Sequence, residues 1–199
     1  MTHPDDYQHA VRLPKRALRG WVAPNPPGGW TADMLDDLPP EAPQHLELIN
    51  GSLVVPPSQT VFHMYAIRLL ERGLVPPGHL FVAKRAPVTL GRRLRPEPDV
   101  LLVSRPVTAS AATSFVPSEV HLVVEVVSAF SENLDRAIKP PLYANAGIAH
   151  FWRVEKEGDT LVAHTYELDP DSRAYTPTGV HHGRLRTDIG FPVDIDLDV

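Results

Sequence analysis

His121-Leu122-Val123-Val124-Glu125-Val126-Val127-Ser128 is an apolar run with one carboxylate in its middle. Leucine and valine in so short and unbroken a run predict a strand buried on both faces of a sheet. An ionised carboxylate in such a strand is destabilising unless a cation, a metal or strong donors meet it. Glu125 therefore needs partners. A polar segment that contains Asp135 and ends at Lys139 follows it directly.

Working outward, Val100-Leu101-Leu102-Val103 reads as a second buried strand, with Asp99 at its entrance directly after Pro98. Residues 104–119 are small and polar and read as a loop between the two strands; loops of that length are often functional. On the C-terminal side, Pro140 and Pro141 fit only the first turn of a helix, so Lys139 is expected at or just before a helix N-terminus, or at a kink. Leu142 to Ala146 continues that helix, and Gly147 stands at its C′ position. Ala149 to Val154 is the next strand. Thr160 to Leu168 alternates as another, Asp169-Pro170-Asp171 turns, and Arg173 to Thr178 returns as its hairpin partner. Phe191 to Leu197 alternates at the end of the chain.

Towards the N-terminus, His45 to Ile49 and Ser52 to Val55 flank Asn50-Gly51, a hairpin signal because both turn residues need φ > 0. Ser58 or Thr60 opens a helix whose apolar face is Phe62, Tyr65, Ala66 and Leu69, with Gly73 at the C′ position. His63, near its start, is read as a half-buried supporting histidine rather than as a ligand. Leu80 to Ala83 is a strand, expected to run on through Val88-Thr89-Leu90. Thr31 is expected to cap a short helix from Ala32 to Leu38, stopped by Pro39-Pro40. Residues 1–30 read as an extended, proline-rich arm and residues 31–199 as one domain. The arm is mildly basic, and a solvated leader explains it better than a specific DNA arm.

Composition narrows the classes. At 199 residues with 43% hydrophobic and 22% charged content, the chain has room for one sizeable core. It has no cysteine, which excludes disulfides and thiolate metal sites, and a net charge of −5, which argues against a generic nucleic-acid coat. No stretch reaches the ~18 apolar residues of a membrane span, and the N-terminus shows no secretory pattern. The expected location is the cytoplasm. No histidine-metal motif, serine elbow, glycine-rich phosphate loop or dinucleotide fingerprint is present.

The elements give a mixed α/β order: a central sheet with flanking helices and additional hairpins. If the strands that carry Asp99 and Glu125 are neighbours, their carboxylates can converge, and converging carboxylates suit a hard divalent cation, Mg²⁺ or Mn²⁺. Lys139 would add a positive charge able to hold a phosphate or orient a water. The bland alternative is a structural ion pair of Glu125 with Arg136, Arg153 or Lys139, with Asp99 capping a turn. Lys84, Arg85, Arg92, Arg93 and Arg95 form a basic stretch with no acidic residue among positions 84–95. It fits a solvated loop or a phosphate-facing rim equally well, since phosphate contacts act within a Debye length of about 8–10 Å.

Glu47-Leu48-Ile49-Asn50-Gly51, Pro98-Asp99-Val100, Val124-Glu125-Val126-Val127-Ser128, Asp135, Lys139, Tyr143-Ala144-Asn145-Ala146-Gly147-Ile148 and Phe151-Trp152 together resemble the Uma-two family of putative restriction endonucleases, within the PD-(D/E)XK nuclease superfamily. The resemblance covers roughly residues 30–199. It implies a restriction-endonuclease-like core with an acidic divalent-metal site that hydrolyses DNA phosphodiester bonds, and a homodimer as the working form. By motif, Asp99 and Glu125 would be the catalytic metal ligands, Lys139 the catalytic lysine, Glu47 a further acidic catalytic position and Asp135 a supporting one. The arginines at 92, 93 and 95, with Lys84 and Arg85, would face nucleic acid. A standard Glu-x-Lys places lysine at position 127, which is Val127 here, so the lysine would have moved to Lys139. An inactive nucleic-acid- or protein-binding module on the same fold is the alternative.

Overall fold

The computed structural model describes residues 21, 23–104 and 111–198. Asn50 and Gly51 have φ of 51° and 81°, and this pair of left-handed residues folds β1 (Glu47–Ile49) back on β2 (Ser52–Val54), as the Asn-Gly signal predicts. Helix α1 (Val61–Gly73) follows. Thr60 caps it, its hydroxyl accepting from the His63 N–H at 3.1 Å.

β3 (Leu80–Lys84), β4 (Val100–Ser104) and β5 (Val120–Val126) run antiparallel in that order. A crossover through α2 (Lys139–Asn145) returns the chain as β6 (His150–Glu157), parallel to β5. β7 (Thr160–Asp169) and β8 (Ala174–His182) then extend the sheet by antiparallel hairpins. The result is one mixed six-stranded sheet, β3-β4-β5-β6-β7-β8, with β9 (Arg184–Asp188) and β10 (Pro192–Asp196) as a separate hairpin. This is the mixed α/β architecture expected from the sequence.

The period of two along β4 and β5 divides the core between the two faces. Val100, Leu102, Leu122 and Val124 pack with Ala66, Ile67 and Leu70 of α1 and with Val193 and Ile195 of β10. Leu101, Val103, Val123 and Phe151 pack with Tyr143 of α2 and with Ile148. Both strands are therefore buried on both sides, which is why they read as continuous apolar runs. A third cluster joins Trp21, Trp30, Ala32, Leu46 and Leu48 beside the first hairpin. Among the described residues no helix is long and apolar enough to cross a membrane.

Several local expectations are corrected. The helix expected from Ala32 to Leu38 is one 3-10 turn, Ala32–Leu35, and Thr31 supplies no side-chain cap. β3 stops at Lys84 rather than running on to Leu90. Arg85 takes a left-handed φ of 47°, which breaks the strand, and Val88 forms only a bridge to Phe115. Gly73 is the last residue of α1, not its C′ residue. A Cβ there would lie 2.7 Å from Ile195, so the glycine serves the close approach of β10. Gly147, with φ 83°, does follow α2 as its C′ residue. β8 extends to His182, and β9 was not anticipated because its Arg-Leu-Arg-Thr-Asp pattern carries a single buried residue. Of the proline-rich arm, residues 1–20 and 22 lie outside the described residues, while Trp21 and Trp30 at its end are buried.

Arg95 is the largest departure. It is 4% exposed and does not face solvent. Its guanidinium donates to the Ala32 carbonyl at 3.1 Å, to Asp36 at 2.7 Å and to the Thr113 hydroxyl at 2.8 Å, cross-linking three segments beside the first hairpin. Arg95→Ala should therefore destabilise the fold by roughly 1–3 kcal/mol, as expected for losing charged hydrogen bonds from a buried site. Urea unfolding reads that loss. If stability were unchanged while DNA affinity fell, Arg95 would be a phosphate contact after all.

Candidate metal and active site

β4 and β5 pair antiparallel with Val100 opposite Val124, so the residue before Val100 lies beside the residue after Val124. That register brings Asp99 and Glu125 to the same end of the sheet. Asp99 is held on both oxygens: Oδ1 lies 3.0 Å from His63 Nε2, and Oδ2 accepts from the Val126 N–H at 2.8 Å. The Thr60 cap fixes the first turn of α1 and so places His63 against Asp99. His63 thus lines the cavity beside Asp99.

Lys139 reaches the site from the other side. The residues before it, Leu134–Ile138, form a π turn, and the Lys139 N–H donates to the Leu134 carbonyl five residues back. Pro140 and Pro141 carry no N–H, so the wide turn ends there and an α-helix restarts. Lys139 is 3% exposed. Its Nζ donates to Glu47 Oε1 at 2.8 Å and lies 3.2 Å from Glu125 Oε1 and 3.3 Å from Asp135 Oδ1. Burial alone would lower the ammonium pKa, but the charges of Glu125, Glu47 and Asp135 outweigh it and raise Lys139 well above its ordinary value. The lysine is a fixed cation.

The carboxylates around it outnumber the cations. Burial, opposed by Lys139 and reinforced by Asp135, Asp99 and Glu47, pushes Glu125 well up. Burial, opposed by Lys139 and by a Ser131 hydrogen bond, pushes Asp135 up to about 6. Asp135 Oδ1 is close enough to Lys139 for an ion pair but not aligned for a hydrogen bond, and it has no hydrogen-bond partner. Tyr143, one turn beyond Lys139, donates its hydroxyl to Glu125 Oε1 at 2.5 Å; burial and then Glu125 hold its pKa well above the usual phenol value.

Glu97 completes the wall. Its N–H donates to Glu47 Oε1 at 3.3 Å, and its Oε1 lies 2.6 Å from His45 Nδ1 and 3.6 Å from Arg85 Nε. Burial pushes Glu97 up to about 8; Arg85 opposes this, while Glu47 and Asp99 add to it. Burial and Arg85 lower His45. Both shifts disfavour the charged forms of the pair.

Glu47, His63, Arg85, Glu97, Asp99, Glu125, Asp135 and Lys139 all line one cavity of about 280 Å³. Its donors are carboxylate oxygens in excess of its cations, the chemistry that a hard divalent ion fits. Asp99 and Glu125 are the pair on adjacent strands able to hold it. Among the described residues no three His, Asp or Glu side chains are grouped so as to hold a metal ion. The structure brings the sequence candidates Asp99, Glu125, Lys139, Glu47, Asp135 and His63 to this one cavity. The sequence reading missed Glu97, Tyr143 and His45. Glu97 was legible from its two-residue spacing to Asp99, which puts both on one side of an extended segment. Tyr143 was legible from its four-residue spacing to Lys139 on a helix.

The basic stretch disperses. Lys84 pairs with Glu71 at 3.0 Å on the surface, and Arg85 turns to the cavity. Arg93 is exposed and lies against the first hairpin turn, where its guanidinium donates to the Asn50 carbonyl at 3.4 Å and leaves no room for a Cβ on Gly51. Arg92 is exposed and Arg95 is buried.

A carboxyl whose folded pKa is raised binds protons more tightly in the native state. The stability it contributes is fully present below its unfolded pKa and is lost as pH rises through the folded value, about 6 for Asp135 and about 8 for Glu97. In metal-free buffer, urea unfolding should show stability falling from about pH 5 to about pH 8.5. Glu97→Gln should remove the upper part of that slope and exceed wild type by about 1 kcal/mol or more at the alkaline end. An unchanged slope in Glu97→Gln would mean that Glu97 is ionised throughout.

Comparison with known proteins agrees with this picture. The Uma2 family model, described as "Putative restriction endonuclease", matches residues 32–199. The chain is similar in fold to the crystal structure of a putative nuclease belonging to DUF820 from Anabaena variabilis. The two are 12% identical with a TM-score of 0.57, over 79% of this chain and 88% of that one. No curated protein matches. The family match spans the hairpin, the sheet and every cavity residue named above, and the chain belongs to the Uma2 family of putative restriction endonucleases.

Proposed function

We propose that the protein is a metal-dependent endonuclease that hydrolyses DNA phosphodiester bonds. The observation that carries this reading is the meeting of Asp99, Glu125 and Lys139 in one cavity, although Lys139 stands fourteen positions after Glu125. Asp99 and Glu125 would hold Mg²⁺ or Mn²⁺, which when bound supplies Lewis-acid polarisation of the phosphate and an acidified water. His63 and the Val126 N–H fix the Asp99 carboxylate in place. Tyr143 fixes one oxygen of Glu125. The Lys139 ammonium, held by Glu47, Glu125 and Asp135, is preorganised to stabilise charge that develops on the phosphoryl oxygens or to orient the attacking water. A homodimer would bring two such cavities to the two strands of a duplex.

One observation favours a second reading, a non-catalytic nucleic-acid- or protein-binding module. The Lys139 ammonium is already surrounded by three carboxylates, and both Asp99 oxygens are satisfied by protein groups. Nicking of supercoiled plasmid with Mg²⁺ or Mn²⁺ separates the two. The endonuclease reading expects cleavage that Asp99→Ala, Glu125→Gln and Lys139→Met each reduce by about 10²-fold or more. Full activity in Asp99→Ala and Lys139→Ala would show that the site lies elsewhere. Salt-dependent DNA binding without cleavage, and with thermal unfolding indifferent to divalent ions, would favour the binding module.

A further inference from the structure

A second cavity, of about 320 Å³, adjoins the helical segment that bounds the acidic one. Asp135 and Lys139 line the acidic cavity, whereas Arg136 and Pro140, each one position further on, line the second. The wall opposite is aromatic. Phe151 stacks on Tyr175 at 5.4 Å between ring centroids, with 26° between planes, and lies 5.6 Å from Tyr166. Strand register explains the cluster: Phe151 sits opposite Tyr166, and Arg153 lies two residues along on the same face of β6. The Arg153 guanidinium is 5.7 Å from the Tyr166 ring centroid, over its face.

The charge of this cavity is opposite to that of its neighbour. Arg136, Arg153 and Arg173 line it, and no carboxylate does. Arg136 is held by Glu132 and Glu155 and Arg153 by Glu155, carboxylates outside the lining that fix both guanidiniums. Arg173 makes no ion pair among the described residues and is exposed at the turn between β7 and β8. Its φ is 52°, a left-handed conformation that glycine or asparagine adopts more easily. An arginine at that position places a free guanidinium at the mouth of the cavity.

A flat aromatic wall beside the Arg173 guanidinium, which makes no ion pair among the described residues, fits a ligand that is planar at one end and anionic at the other. We infer that this cavity binds a nucleotide unit, its base against the Tyr166 and Tyr175 rings and its phosphate on Arg173. An unpaired nucleotide of a single strand and a free 5′-mononucleotide share that chemistry. The inference extends beyond phosphodiester cleavage and does not need it, so its test is an equilibrium measurement in EDTA, where cleavage plays no part.

The full-length protein is titrated calorimetrically with 5′-dAMP at low salt. Saturable one-to-one binding is expected, weakened about tenfold by Arg173→Asn, which keeps the turn conformation, and by a similar factor in Tyr166→Leu. Thermal unfolding confirms that both variants fold. Adenosine and inorganic phosphate should each bind more weakly than the nucleotide that joins them. Displacement of 5′-dAMP by a single-stranded deoxy-dodecamer would identify a strand as the source of the nucleotide; failure to displace it would identify the free nucleotide. No saturable binding at millimolar 5′-dAMP would overturn the proposal, and so would binding that Arg173→Asn leaves unchanged, which would place the ligand elsewhere. A protein that binds 5′-dAMP here but never nicks plasmid would keep this site and lose the nuclease reading.

Discussion

A buried lysine among buried carboxylates is the constraint on which the rest of this structure depends. Lys139 and its partners Glu47, Glu125 and Asp135 are all buried and come from three different parts of the chain: the first hairpin, β5 and the crossover segment. Desolvating such charges is expensive, and removing the lysine would leave its three carboxylates uncompensated. A fold stabilised only for its own sake would fill this space with apolar side chains. The cluster instead retains one permanent cation and more carboxylate than that cation neutralises, which leaves Glu125 and Asp135 shifted towards their protonated forms. Perturbed groups of this kind gather where chemistry is done.

The scaffold positions each member by a separate local device. The Asn50-Gly51 turn sets the hairpin that carries Glu47. The antiparallel register of β4 and β5 brings Asp99 alongside Glu125. Parallel pairing of β5 with β6 requires a crossover, and the crossover is the segment that contains Asp135, Lys139 and Tyr143. Two adjacent prolines end its π turn and restart it as an α-helix. The topology of the sheet and the delivery of the lysine are thus one decision made by the chain.

What was legible in the sequence follows the same physics. β4, β5 and the first hairpin were readable because burial on both faces and a left-handed turn each demand particular residue types over a short window. β9 was not, because a surface hairpin with one buried residue leaves almost no pattern. Arg95 was misplaced because an arginine in a basic stretch looks the same whether it faces a phosphate or the carbonyl of Ala32; only three-dimensional contacts separate the two. The carboxylate of Glu97 passed unnoticed for the converse reason. The proline-flanked aspartate beside it carries the recognisable signal, while the partners that shift Glu97, His45 and Arg85, are distant in sequence.

The displacement of the lysine then becomes a question of atoms rather than positions. At position 127 a lysine would extend from the end of β5, beside the Val127 N–H that donates to the Val154 carbonyl. From position 139 the ammonium arrives instead from a helix, 3.2 Å from Glu125 and clamped by two further carboxylates. The strand-borne form would leave a long, flexible side chain to find its geometry; the helix-borne form fixes it by burial and by three partners at once. Such fixing also ties the cation to its own carboxylates. Any anionic ligand would therefore have to compete with the acidic cluster for the Lys139 ammonium.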